Sequence, residues 1–152
     1  MHRINTGDSN PIRTNLRPQA KYHQDIVSEF TKRWSKHNYI EESESEWASA
    51  VIVVERKGDY RRLNSVTKKN AYPVPNLESQ KQYFRGAKVF SQLDFADAYL
   101  QILIHPDDRE KTAIITHDGL FHFIRMPFGL CNAPATFLRA VDQAFRIVFG
   151  SF

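Results

Sequence analysis

The stretch Val89-Phe90-Ser91-Gln92-Leu93-Asp94-Phe95-Ala96-Asp97-Ala98-Tyr99-Leu100-Gln101 decides how the rest of this chain is read. Alternation puts Val89, Ser91, Leu93 and Phe95 on one face and Phe90, Gln92 and Asp94 on the other, so the spacing predicts a strand. Asp94 then sits near the strand end between two large apolar neighbours that face away from it. A carboxylate so placed is either satisfied by hydrogen bonds or holds a cation, because burying it bare is too costly. Asp97 and Tyr99 follow in a tight, helical turn. A strand-end carboxylate beside a phenol fits a cation-dependent site that recognises a ring or a sugar. An Asp that simply caps the strand–turn junction fits the same spacing.

The rest of the chain bounds that choice. Its 152 residues predict one domain with a core of its own, and 41% hydrophobic against 25% charged residues is ordinary for a soluble globular protein. Lys and Arg number 21 against 17 Asp and Glu, which favours a polyanionic partner weakly. The single cysteine, Cys131, excludes an internal disulfide and a Cys-rich zinc site, and its surroundings predict a small buried apolar residue. Met1-His2-Arg3-Ile4-Asn5 has no apolar core of a signal peptide, and the run Val51 to Val54 is far too short to cross a bilayer.

Residues 1–17 are polar, with Gly7 and Pro11 and no apolar period, and read as an extended lead-in or linker. Tyr22, Ile26, Phe30 and Trp34 recur every four residues after Pro18, which predicts an amphipathic helix ending near Lys36. Trp47 to Glu55 is rich in β-branched residues and reads as a strand. Tyr72-Pro73-Val74-Pro75 reads as extended and Leu77 to Phe84 as a short helix stopped by Gly86. Thr112 to Thr116 and Leu120 to Arg125 flank Asp118-Gly119, a hairpin signal. Asn132-Ala133-Pro134 opens a helix with Asn as N-cap and an apolar face of Phe137, Val141, Ala144 and Val148.

Other clusters carry less. Asp107-Asp108 is the sole adjacent aspartate pair, and paired carboxylates suit a two-metal site. The acids-first order of Pro106-Asp107-Asp108-Arg109-Glu110-Lys111 instead predicts the solvated first turn of a helix. His105, His117 and His122 lack metal-ligand spacing and read as surface histidines. No P-loop and no Gly-x-Gly-x-x-Gly occurs. Arg61, Arg62, Lys68 and Lys69, interleaved with Tyr60, suit a phosphate-and-stacking surface, although charge alone favours a solvated loop.

Several runs together go further. Trp47-Ala48-Ser49-Ala50-Val51, Asp59-Tyr60-Arg61-Arg62-Leu63-Asn64, Ala71-Tyr72-Pro73-Val74-Pro75, Phe90-Ser91-Gln92-Leu93-Asp94 and Ala98-Tyr99-Leu100-Gln101 resemble the reverse transcriptase of Gypsy-type LTR retrotransposons. So do Asp108-Arg109-Glu110-Lys111-Thr112-Ala113 and the long run Arg125-Met126-Pro127-Phe128-Gly129-Leu130-Cys131-Asn132-Ala133-Pro134-Ala135-Thr136-Phe137. His2-Arg3-Ile4, Thr6-Gly7 and Pro11-Ile12 are similar to the lead-in between protease and polymerase in such polyproteins. The resemblance covers nearly the whole chain.

The resemblance implies an α+β, right-hand polymerase in part: fingers at 18–70 and 102–132, palm at 71–101 and 133–152. Asp94 matches the family's first catalytic, Mg²⁺-binding aspartate. Asp97 and Ala98 match the turn whose backbone N–H groups meet the incoming triphosphate. Tyr99 matches the aromatic residue under the deoxyribose, and Phe128 and Gly129 fall in the nucleotide-side loop. RNA or DNA template–primer, deoxynucleotides and the remainder of the Pol polyprotein are the implied partners, in a cytoplasmic retrotransposon particle or in the nucleus, with no membrane.

Two departures from the family pattern qualify this. The family's second catalytic motif, an aromatic residue, a variable residue and two aspartates, is not reached before Phe152, so the expectation is a fragment truncated before it and inactive alone. The alternative is a non-catalytic basic nucleic-acid-binding module or a decayed element copy. Secondly, Arg56-Lys57-Gly58-Asp59 is several residues shorter than the family's fingertip hairpin. That predicts a shortened or absent hairpin and disturbed pairing of Val51–Val54.

Overall fold

The computed structural model describes residues 1–16, 18–52, 57–72, 85–86, 88–89, 92 and 94–149. In chain order they form α1 (Lys21–Lys36), β1 (Ile40–Glu42), β2 (Ser49–Ile52), β3 (Lys57–Gly58), α2 (Arg61–Val66), β4 (Ile114–Thr116), β5 (Gly119–Phe123) and α3 (Ala133–Phe149). Short 3₁₀ turns lie at Ala98–Gln101, Pro106–Asp108 and Glu110–Thr112. The mixed α and β character follows the sequence reading. The expected helix Leu77–Phe84, the extended 73–75, strand positions 53–55, Arg56, and Phe90, Ser91 and Leu93 lie outside the described residues.

Of the strand expected before Asp94, the described positions 88, 89, 92, 94 and 95 carry no strand. Val89 is 84% and Phe95 41% exposed. No strand among the described residues pairs with them, and backbone groups without a ladder partner gain nothing from alternation alone.

The sheet is ordered β1-β5-β4-β2-β3. β4 and β5 make the expected hairpin, but its central residues are His117 and Asp118, with Thr116 opposite Gly119. β1 pairs antiparallel with β5 (Ile40 opposite Phe123), while β2 runs parallel to β4 (Ser49 opposite Ile114). Ile40, Ile114 and Phe123 turn inward onto Ile4, Trp47, Tyr60, Leu63, Ile104 and Met126, all buried. The short β2–β3 hairpin persists as a ladder of Val51 opposite Gly58 and Ile52 opposite Lys57. Gly58 is required there because a Cβ would come within 2.6 Å of Tyr60 Cζ. The Tyr60 ring is fixed in turn, its hydroxyl donating to the Thr112 carbonyl at 3.0 Å.

α1 forms over the expected residues, but its buried face is rotated. Val27 and Thr31 are the buried side chains, Phe30 and Trp34 are half-buried, and Tyr22 is 72% exposed. Thr31 can be inside because its hydroxyl donates to the Val27 carbonyl at 2.9 Å. Asn132 stands at the N-cap position of α3, yet its side chain serves another segment. Its Oδ1 accepts from the Asn70 N–H (2.9 Å) and its Nδ2 donates to the Lys68 carbonyl (2.8 Å).

The lead-in is extended but firmly packed. His2 N–H donates to Leu103 O at 2.8 Å, and His105 N–H returns to His2 O at 2.9 Å. Thr14 and Ala48 exchange with Ala48 and Ile12 across a second parallel bridge. Ile4 is 2% exposed, which contributes about 2 kcal/mol of apolar burial. Asp108 corrects the solvated-turn expectation, being 2% exposed. Its Oδ2 accepts from Ile4 N–H (3.0 Å) and Arg3 Nε (2.9 Å), and its Oδ1 from Lys111 Nζ (2.6 Å). Its neighbour Asp107 stays outside, with 70% of its side chain exposed, paired with Arg3 at 3.2 Å. An aspartate that receives three donors is inside for that reason, and sequence order alone does not reveal them.

Two outcomes test this packing. Gly58→Ala is expected to lose about 2 kcal/mol in urea unfolding, since the Tyr60 ring cannot withdraw without leaving its Thr112 partner. His2, buried and sharing a 2.8 Å hydrogen bond between its Nδ1 and Thr136 Oγ1, has its imidazole pushed down from 6.5 to about 4 by burial, with the Asp108 charge opposing. The unfolded chain therefore binds the extra proton first. Stability is full above about pH 6.5 and falls as the pH drops toward 4, by at most about 3 kcal/mol. Urea unfolding at pH 7 and pH 5 should differ in the intact chain, and the difference should shrink in His2→Gln.

Candidate nucleotide-binding site

The turn after Asp94 is closed by short local bonds and held from outside. Asp97 adopts the left-handed conformation (φ 48°, ψ 44°), which an aspartate tolerates better than most residues. The 3₁₀ turn Ala98–Gln101 follows, closed by Leu100 N–H on Asp97 O and by Gln101 Nε2 on Ala96 O, each 2.8 Å. Arg125 holds the far end, its Nη1 donating to Leu100 O at 3.2 Å while the guanidinium lies 6.0 Å over the Tyr39 ring. Asp94 and Asp97 are both exposed, so Asp94 does not face the burial problem that its apolar neighbours suggested.

Tyr99 is half-buried against two rings. Phe128 lies 5.1 Å and Phe137 5.7 Å from it, and Phe95 meets Phe137 edge-on at 5.4 Å. Residues distant in sequence thus form one aromatic wall beside the Asp97 turn. The Phe128 loop is set by two observations. Gly129 has φ +97°, where a side chain would be strained. Asn64 of α2 grips both sides of it, Nδ2 donating to Gly129 O (2.8 Å) and Oδ1 accepting from Cys131 N–H (2.9 Å).

The basic residues divide. Arg61 is exposed, but its guanidinium is clamped in a two-point bond to Asp59, at 2.8 and 2.7 Å, which holds its pKa above the ordinary value. Arg62 donates to the Arg13 carbonyl at 3.1 Å. Lys68 and Lys69 are exposed just beyond α2. The three histidines are scattered. His122, with only 14% of its side chain exposed, bonds Ser43 Oγ and Glu41 Oε1, both at 2.8 Å, and so is no surface histidine. This bond, aided by Arg109 and opposed by burial, holds the Glu41 carboxyl below its ordinary value. Cys131 is half-buried, and burial pushes its thiol up.

Comparison with known proteins bears directly on this arrangement. The family model for reverse transcriptase (RNA-dependent DNA polymerase) matches residues 53–151. The chain belongs to the reverse transcriptase family. It is 33% identical over 160 residues to the Pol polyprotein of transposon gypsy from Drosophila melanogaster, covering 97% of this chain and 16% of that protein. With the Pol polyprotein of transposon 297 from the same fly it is 32% identical over 157 residues, 95% of this chain and 15% of the relative. An RNA-directed DNA polymerase homolog of Oenothera berteroana is 44% identical over 85 residues, 56% of this chain and 60% of that protein. The resemblance to Gypsy-type elements read from the sequence is thereby borne out. The chain spans about one sixth of the fly polyproteins.

Reverse transcriptases use divalent metal ions, and the donors present can be tested against that need. Asp94 offers one exposed carboxylate, and among the described residues no three His, Cys, Asp or Glu side chains gather to hold an ion. Two ions a few ångströms apart need bridging carboxylates, so the described residues do not fit a two-metal site. Among them, too, no helix is long and apolar enough to cross a membrane.

Asn64 and Arg125 position the loop and the turn, and Asn132 holds the segment after α2. Each acts through backbone partners far along the chain. Asn64→Ala removes both bonds on the Phe128 loop and leaves a carbonyl and an N–H without partners. It is expected to cost about 2 kcal/mol in urea unfolding, whereas Ser65→Ala on the exposed side of the same helix should cost far less.

Proposed function

We propose that this chain supplies the fingers (18–70 and 102–132) and the anterior palm (71–101 and 133–152) of an RNA-directed DNA polymerase. In the complete protein it grips an RNA or DNA template with its primer and receives the incoming deoxynucleotide. The observation that carries this reading is the aromatic wall, with Tyr99 5.1 Å from Phe128 beside the Asp97 turn. A flat, half-buried ring braced from behind can lie under a deoxyribose and leaves no room for a 2′-hydroxyl. Backbone N–H groups from Asp97 and Ala98 then face the triphosphate, and Gly129 lets the loop approach the nucleotide. Lys68 and Lys69 meet template phosphates, with Arg61 and Arg62 beside them. Asp94 contributes one carboxylate toward a metal whose other ligands the described residues do not provide. Retrotransposon particles in the cytoplasm are the expected setting, joined to the rest of the Pol polyprotein.

That incomplete donor set favours a second reading for the chain by itself, binding without chemistry. Both readings require an RNA–DNA hybrid to bind with an affinity that falls steeply between about 50 and 200 mM salt, and more weakly when Lys68 and Lys69 are both changed to Ala. Fluorescence anisotropy measures this. Salt-insensitive binding, or none, overturns both. Primer extension with Mg²⁺ and deoxynucleotides is expected to be absent with this chain alone; extension abolished by Asp94→Asn overturns both the binding-only reading and the expectation that the chain is inactive by itself.

A further inference from the structure

Between α1, the Asp97 turn and the Phe128 loop lies a cleft lined by Phe30, Arg33, Trp34, Asp97 and Phe128 over a floor of Phe123. Its rings are braced against one another, Trp34 lying 5.7 Å from Phe30 and 5.4 Å from Phe123. Trp34 and Phe30 are half-buried and Phe128 is 43% exposed, so aromatic surface faces the opening. Arg33 is exposed, lies 5.3 Å over the Phe30 ring and makes no ion pair among the described residues. Tyr99 contacts Phe128 but does not line the cleft. Whatever binds here is therefore separate from a sugar resting on Tyr99, with Phe128 common to both.

The lining specifies a ligand class. Aromatic side chains around a concave opening receive a flat ring, and a guanidinium at the rim receives an anion attached to it. Asp97 on the facing wall repels phosphate and accepts a hydrogen bond from an amino group or a ribose hydroxyl, so the anion is directed to Arg33. A purely apolar guest would leave both charges desolvated and unmatched. We propose that the cleft holds one unpaired base of a single-stranded nucleic acid, stacked on Trp34 and Phe128, with its phosphate on Arg33. The inference rests on the reading of this chain as a nucleic-acid-binding part of a polymerase. It adds a single-strand position to the duplex surface of Lys68 and Lys69.

Tryptophan emission reads this site directly. The chain has two tryptophans, and Trp47 is only 8% exposed, so quenching by an added strand reports Trp34. Titration with a short oligocytidylate is expected to quench emission saturably. Arg33→Gln should weaken that binding about fivefold and lower its salt slope by about one. Phe128→Ala should weaken it about tenfold. Both side chains are exposed, and matching circular dichroism spectra confirm that the variants fold. Changing Lys68 and Lys69 to Ala should leave the quench at saturation intact. An unquenched tryptophan, or a quench indifferent to both Arg33→Gln and Phe128→Ala, overturns the inference. If the hybrid binds while the emission does not move, the cleft assignment falls and the polymerase reading stands. If neither strand binds, both fall.

Discussion

The buried carboxylate of Asp108 is the point on which the rest of the structure depends. It accepts from the Ile4 backbone, from Arg3 and from Lys111, and Lys111 also donates to the Ile4 carbonyl at 2.7 Å. A bare aspartate could not sit there, and an apolar residue would leave the Ile4 N–H without an acceptor and a largely buried ammonium without a counter-charge. This side chain joins the backbone bonds of His2 and Thr14 in fastening the first residues to the rest of the fold. Ile4 is thereby seated in the same core as Trp47, Tyr60 and Phe123.

From that core outward, order is passed on by polar side chains that reach backbone groups. Tyr60 is held by the Thr112 carbonyl, and α2, which follows it, presents Asn64 to the Phe128 loop. Arg125, leaving β5, ties the Tyr99 turn to the same framework. The aromatic wall is thus supported from α2, from the segment after β5 and from α3. None of these supports lies in the short turn that carries Tyr99. A 3₁₀ turn of four residues has little stability of its own, so its shape belongs to its neighbours.

Much of this was legible in the sequence where a period or a turn signal existed. The ends of α1, the β4–β5 hairpin and the start of α3 follow from spacing and from Pro, Gly and Asn. Spacing already offered Tyr99 beside Asp94, and the family likeness added Phe128 and Gly129, which spacing could not connect to it. What stayed hidden depends on single contacts. Ile4 and Ile12 are isolated apolar residues among polar ones, so no period marks the lead-in as packed. Asp107 and Asp108 are chemically identical neighbours, and only the placement of Arg3, Ile4 and Lys111 separates the exposed one from the buried one. The buried face of α1 lies one position from the apolar period because a threonine that satisfies its hydroxyl internally is apolar in packing and polar in a pattern.

The anchoring of the lead-in also bears on how the chain comes into being. Ile4 meets Asp108 across 104 positions of sequence, and His2 pairs beside Ile104. On a ribosome, this segment emerges 104 residues before the aspartate that seats it. Until Lys111 has left the exit tunnel, Ile4 has no seat and the upstream strand waits in solvent. Closing so long a loop is entropically slow, and its reward arrives in a single step when Asp108, Arg3 and Lys111 meet. Docking of the lead-in therefore waits on residues made far downstream of it.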